Sequence, residues 1–96
     1  MSDPFADRAQ ALHRTLLVME NDAAEDDLFA VGYMIPQIGL VLEMADYDAN
    51  AVDAEDFDVT YWQWLESTFA EDGMSEYDRT RIAQLWAQAR ASTRAA

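Results

Sequence analysis

The run Leu28-Phe29-Ala30-Val31-Gly32-Tyr33-Met34-Ile35, continued to Ala45, is apolar on nearly every side of a helix and carries no charge from Leu28 to Leu42. A helix of that kind belongs in the middle of a bundle, where neighbours cover it all round. The uncharged stretch is shorter than a membrane span requires, and Pro36 and Gln37 interrupt it. The remaining segments must then be helices that wrap it. Three more segments show apolar residues at helical spacing, and no segment alternates as a strand would. The chain of 96 residues is long enough for one domain with a single small core. The fold expected is all-α: one domain over 1–96, a mostly antiparallel four-helix arrangement with a Pro-kinked central second helix.

Expected helices span about 3–20, 27–45, 57–72 and 76–91, with the tail 91–96 frayed. The first opens at Ser2-Asp3-Pro4, a cap followed by a proline where no N–H is needed. Phe5, Ala9, Leu12, Leu16 and Met19 then lie on one stripe. Glu25, Asp26 and Asp27 suit the positive end of the second helix. Pro36 would clash with the carbonyl four residues back, and glycine at that position, Gly32, gives the backbone room to bend. Gly32 and Gly39 lie on one face and should let a neighbour approach closely. The third helix follows a loop from Asp46 to about Asp56, carries Trp62, Leu65 and Phe69 as its stripe, and stops before Gly73. The fourth opens at Ser75 with Asp78 at capping-box spacing and buries Ile82, Leu85, Trp86 and Ala89.

Charge divides the chain sharply. There is no lysine, and all 6 basic residues are arginines: Arg8, Arg14, Arg79, Arg81, Arg90 and Arg94. Of the 19 carboxylates, all but Asp3 and Asp7 fall between Thr15 and Asp78, and the net charge is −13. Such a body repels anionic lipid and nucleic-acid backbones, so neither a membrane nor nucleic acid is expected as a direct partner. Its plainest use is solubility, as in a salt-adapted or GC-rich host. Ion pairs between the terminal arginines and the central acids should cross between helices, selecting topology more than adding stability. Half the residues are apolar, which sets the chain apart from a disordered acidic tail. With no cysteine there is no disulfide, thiol nucleophile or thiolate metal site. No basic region followed by an apolar run opens the chain, and a cytoplasmic setting is expected.

Asp26-Asp27-Leu28-Phe29-Ala30-Val31-Gly32-Tyr33 followed by Ile38-Gly39-Leu40-Val41-Leu42-Glu43 resembles the YfcL family of small acidic bacterial proteins. The likeness extends more weakly through Leu65-Glu66 and Leu85-Trp86, about two-thirds of the chain. The family pattern Asp-Asp-x-x-Phe-Ala-x-Gly-Tyr is met here with one residue fewer. The resemblance implies a helical fold and a bacterial, cytoplasmic protein, and it carries over no site residue.

Chemistry-bearing constellations are few. Asp46-Tyr47-Asp48-Ala49-Asn50 matches the opening of a calcium loop, making Asp46, Asp48 and Asn50 candidate ligands. The remainder departs from the pattern: Ala51 stands where glycine makes the sharp turn, and Phe57 where a glutamate binds through both oxygens. The competing reading is a solvated acidic loop. His13, the only histidine, lies beside Leu17 and Glu20 on the helical net, but no nucleophile or glycine-rich loop accompanies it. One histidine also excludes the usual di-iron bundle. No cofactor is expected and no catalysis.

The third helix holds the most telling group. Phe57, Tyr61 and Trp64 gather on a flank about 160° from Trp62 at 100° per residue. Either the preceding loop folds over this second flank, or the flank is an exposed patch for a partner protein or a second copy. The leading expectation is a non-catalytic interaction module. Phe57, Tyr61 and Trp64 serve as anchors, and Asp53, Glu55 and Asp56 steer a basic partner. The alternative is an acidic nucleic-acid mimic that occupies a basic nucleic-acid-binding protein. A weak divalent-cation loop is the third reading.

Overall fold

The structure, a computed structural model, describes residues 3–93. Among these, four helices and one short 3-10 turn account for all regular structure: α1 (Pro4–Asp22), the turn Glu25–Asp27, α2 (Leu28–Met44), α3 (Ala54–Asp72) and α4 (Glu76–Ser92). The all-α, four-helix expectation holds. Consecutive helices run antiparallel: Glu20 of α1 lies beside Gly32 of α2, and His13 beside Gly39 and Leu42. Gln37 and Tyr33 of α2 meet Trp64 and Asp72 of α3. Tyr61 and Asp58 of α3 meet Trp86 and Arg90 of α4.

Each boundary has a local cause. Asp3 caps α1, its carboxylate accepting from the Ala6 N–H at 3.0 Å, with Pro4 at the first helical position. The third helix starts earlier than expected, at Ala54, because Asp53 and Asp56 form a reciprocal capping box. The loop therefore closes at Asp53. Gly73 ends α3 in the left-handed region (φ 58°), and the Met74 N–H reaches back to the Phe69 carbonyl at 3.0 Å, a Schellman closure. Ser75 caps α4 by accepting from the Asp78 N–H.

The core is one cluster drawn from all four helices: Phe5, Leu12 and Leu16; Val31, Met34, Ile38 and Val41; Phe57, Tyr61 and Leu65; Ile82, Leu85 and Trp86. Met19 and Trp62, expected on core stripes, sit half-buried at its margin. The second helix departs from expectation most. It runs unbroken through Pro36, but it is not enclosed. Ala30, Val31, Met34, Ile38 and Val41 face inward, and the opposite side faces solvent. Nor do its glycines admit a close neighbour. A Cβ on Gly39 would meet nothing within 4 Å, and one on Gly32 only Glu20 Oε2 at 3.8 Å.

The carboxy-terminal end differs too. Thr93, placed in an expected frayed tail, is buried, and its hydroxyl lies 2.6 Å from that of Thr15 on α1. The rest of that tail, 94–96, lies outside the described residues, as does Ser2.

Candidate functional site

Phe57 and Tyr61 cannot be surface anchors, since both are fully buried. On the α3 helical net, Trp64, Phe57, Tyr61, Leu65, Phe69 and Trp62 follow one another across about 160° at 100° per residue. The two supposed flanks are the margins of one wide inward face, which α3 needs because it packs against both α1 and α2. Trp62 and Trp64 mark its edges and are half-buried. The Trp64 indole N–H donates to Gln37 Oε1 at 2.7 Å. Burial satisfies Tyr61 as well: its hydroxyl donates to the Met34 carbonyl at 2.6 Å, and burial pushes its phenol far above the usual tyrosine range. The loop covers the Phe57 end. Tyr47 stacks on Phe5 with ring centroids 4.1 Å apart, and Phe5 meets Phe57 edge-on at 5.1 Å.

The loop carboxylates are mostly employed in structure. Asp48 accepts from the Asn50 N–H at 2.9 Å, a local turn. Asp53 and Asp56 hold the capping box, and Asp46 and Glu55 are exposed. Among the described residues, no three acid or histidine side chains are placed to share a metal ion.

Asp58, one residue after Phe57 on α3, is the buried acid. Its carboxylate accepts from Arg8 Nε (3.0 Å) and Nη2 (2.9 Å), and from Arg90 Nε (3.0 Å). Arg8 Nη1 also donates to the Thr93 carbonyl at 2.9 Å. This cluster ties α1, α3 and the end of α4 together, and no buried side-chain polar atom among the described residues is left without a partner. A second pair, Arg81 with Asp27, joins α4 to the turn before α2 through two contacts of 2.6 Å. The Arg81 guanidinium holds the Asp27 carboxyl below the usual range. The cross-helix ion pairs expected from charge segregation are thus present, with the Asp58 carboxylate buried.

What remains unaccounted for is the outer side of α2. Leu28 (44% exposed), Phe29 (57%), Leu40 (40%) and Met44 (65%) lie there, with Pro36 and Gly39 between them. These residues occupy about 160° of the helical circumference. The strip runs about 24 Å at 1.5 Å per residue. Glu43 is its one charged residue. By length and composition, Glu25–Met44 is also apolar enough to cross a membrane. In this fold, however, its inner side supplies five core residues that a lipid-spanning segment would have to withdraw. The sequence signal for the strip is the all-round apolarity of 28–45, which by itself predicts complete burial.

His13 stays a border residue. It is half-buried in a shallow groove of about 290 Å³ beside Gln10, Arg14, Ile38, Gly39 and Leu42, which offers no nucleophile. Comparison of the chain with protein-family models, with curated proteins and with solved structures finds no match.

Proposed function

We propose that the protein is a non-catalytic interaction module that docks a protein partner through the outer face of α2. The observation that carries this reading is the row Leu28, Phe29, Leu40 and Met44, four large apolar side chains left in solvent along one helix. Single exposed apolar residues are ordinary, but a contiguous strip on one element marks an interaction surface. Gly39 adds support. Glycine in a helix costs about 0.5–1 kcal/mol relative to alanine, and nothing inside the protein needs that space. A flat spot on the outer face is useful to something that lies against it. The docking face thus moves from the buried Phe57 and Tyr61 to α2, while the type of function expected from the sequence is kept. Membership of the YfcL family and a cytoplasmic setting belong with this proposal, because the segment carrying the likeness is α2 itself.

The test is affinity capture from native lysate at low and moderate salt, with the mass of the isolated protein measured by sedimentation. Phe29→Ser and Leu40→Ser should stay folded and lose the species the parent protein binds, or its self-association. Val59→Ser, at an exposed apolar residue of α3, should change nothing. Identical behaviour of the parent protein and both α2 variants would refute the proposal.

A further inference from the structure

Resting on the reading of α2 as the docking face, we propose that its occupant is a cationic amphipathic helix of another protein: an apolar stripe to lie on α2, with lysine or arginine along its flanks. The strip suits a helix laid alongside. Leu28 and Phe29 stand at one end, Leu40 and Met44 at the other, and the face between carries Gly32, Pro36 and Gly39. Small residues between the two pairs let the side chains of a partner helix come close to the α2 backbone.

Charge then selects among occupants. Carboxylates border the strip on every side: Glu20 on the α1 flank, Asp72 and Asp78 in the groove that Phe29 and Tyr33 share with the α3–α4 turn, exposed Asp26 before the helix, and Glu43 at its far end. Three arginines approach it: Arg14 at the groove near Gly39, Arg79 held by the Met74 and Phe69 carbonyls at the α3–α4 turn, and Arg81 already paired with Asp27. The Asp72 carboxylate also accepts from the Tyr33 hydroxyl at 2.8 Å, which fixes it at the rim. A second copy of the chain would bring another −13 of net charge against this border, and an anionic lipid surface would be repelled likewise. A flanking row of cations is attracted by it and steered onto the strip.

The backbone adds a further acceptor. Pro36 has no N–H, so the Gly32 carbonyl lacks the donor that a helix ordinarily supplies four residues on. Gly32 lies on the outer half of the helix by its spacing, and a donor for this acceptor must come from an ammonium, a guanidinium or water, since an aliphatic surface has none.

The experiment uses the purified full chain and a labelled synthetic amphipathic peptide of about 18 residues, with leucines at i, i+3, i+4 and i+7 and lysines flanking them. Two control peptides replace lysine by glutamine, or scramble the order at equal charge. The lysine peptide should bind and gain helicity. Either control should bind about tenfold more weakly or worse. Phe29→Ser should weaken binding by about thirtyfold, the loss typical of an anchor, and Leu40→Ser serves the same purpose should the first variant unfold. Val59→Ser should bind as the parent does. Equal affinity for the scrambled peptide would reduce the effect to bulk charge, and equal affinity for the glutamine peptide would remove the cationic requirement. Either result, or no binding, overturns the inference. So does a dimer, or uptake by phosphatidylcholine vesicles, that Phe29→Ser abolishes. The dimer leaves α2 as a protein-docking face with the wrong occupant assigned, whereas the vesicle result overturns the docking proposal as well.

Discussion

Replacing Asp58 tests whether a buried ion cluster holds this fold in register. The side chain is 6% exposed and accepts three hydrogen bonds from two guanidinium groups. The two partners differ. Arg8 is 11% exposed and Arg90 is 49% exposed. Once the carboxylate is removed, Arg90 swings into water, and its share amounts to about 1 kcal/mol or less. Arg8 cannot do so without giving up its bond to the Thr93 carbonyl. Stranding one buried charge costs about 3–5 kcal/mol. Asp58→Ala should lose that amount, against a total of about 5–15 kcal/mol for a domain of this size. At 4–8 °C per kcal/mol, the melting temperature falls by about 12 °C or more.

Urea unfolding followed by far-UV circular dichroism reads the free energy directly. Arg90→Ala should cost about 1 kcal/mol or less, and Arg8→Ala several times more. A double replacement, Arg8→Met with Asp58→Leu, should recover most of the loss, because an apolar pair of similar volume needs no desolvation of charge. A loss below about 1 kcal/mol for Asp58→Ala would refute the argument that the cluster is dry. Equal costs for the two arginine variants would refute the asymmetry between them.

Other predictions concern the corrected aromatic face and the titrating groups. Phe57→Ala should destabilise by about 3–5 kcal/mol, read by the same unfolding curves, where a surface anchor would cost almost nothing. Gly39→Ala should stabilise the isolated protein by about 0.5–1 kcal/mol, as no atom lies within 4 Å of the added methyl; a loss of stability would show that the outer face of α2 is not open. In alkali, unfolded tyrosine ionises near pH 10 while buried Tyr61 keeps its proton, so stability is full below about pH 10 and falls above it by about 1.4 kcal/mol per pH unit. Tyr61→Phe should remove that slope's largest part, and urea midpoints unchanged between about pH 9 and pH 11 would refute it. On acidification, the Asp27–Arg81 contribution is present above the ordinary aspartate range and is lost as pH falls through the depressed value. Arg81→Ala should flatten the acid limb.

Much of this architecture was legible because it is written in local rules. Caps at Asp3 and Ser75 and the stop at Gly73 each follow from one or two residues, and the structure uses all three. The α3 start lies earlier than expected because Asp53 and Asp56, which count as loop charge by composition, have the spacing of a capping box. The aromatic face was misread for a geometric reason. A stripe centred on Trp62 leaves Trp64 behind the helix, whereas one centred between Tyr61 and Leu65 takes in both. Which centre is right depends on how many neighbours α3 has, and a single sequence segment does not carry that. Asp58 was hidden likewise, since its partners lie 50 and 32 residues away.

The orientation of α2 was decidable in principle, and the reason bears on its use. An all-round apolar helix could have turned either side to the core. One side offers Ala30, Val31, Met34, Ile38 and Val41 along its whole length, and the other interrupts Leu28, Phe29, Leu40 and Met44 with Gly32, Pro36 and Gly39. Packing alone favours the first by the contacts that glycine cannot make. Backbone chemistry favours it again. Pro36 deprives the Gly32 carbonyl of its helical donor, and burying that acceptor without a replacement costs about 1–3 kcal/mol. Turning Pro36 outward lets water serve it. The same two facts leave Leu28, Phe29, Leu40 and Met44 in solvent as a consequence, because they share the proline's side of the helix. An outer face that served only to hydrate one carbonyl would need no leucine, phenylalanine or methionine, and more than half of the Phe29 and Met44 surface stays in solvent. The apolar strip is therefore not accounted for by the folding of this chain, and it remains to be matched by a surface that carries both apolar area and a donor for that carbonyl.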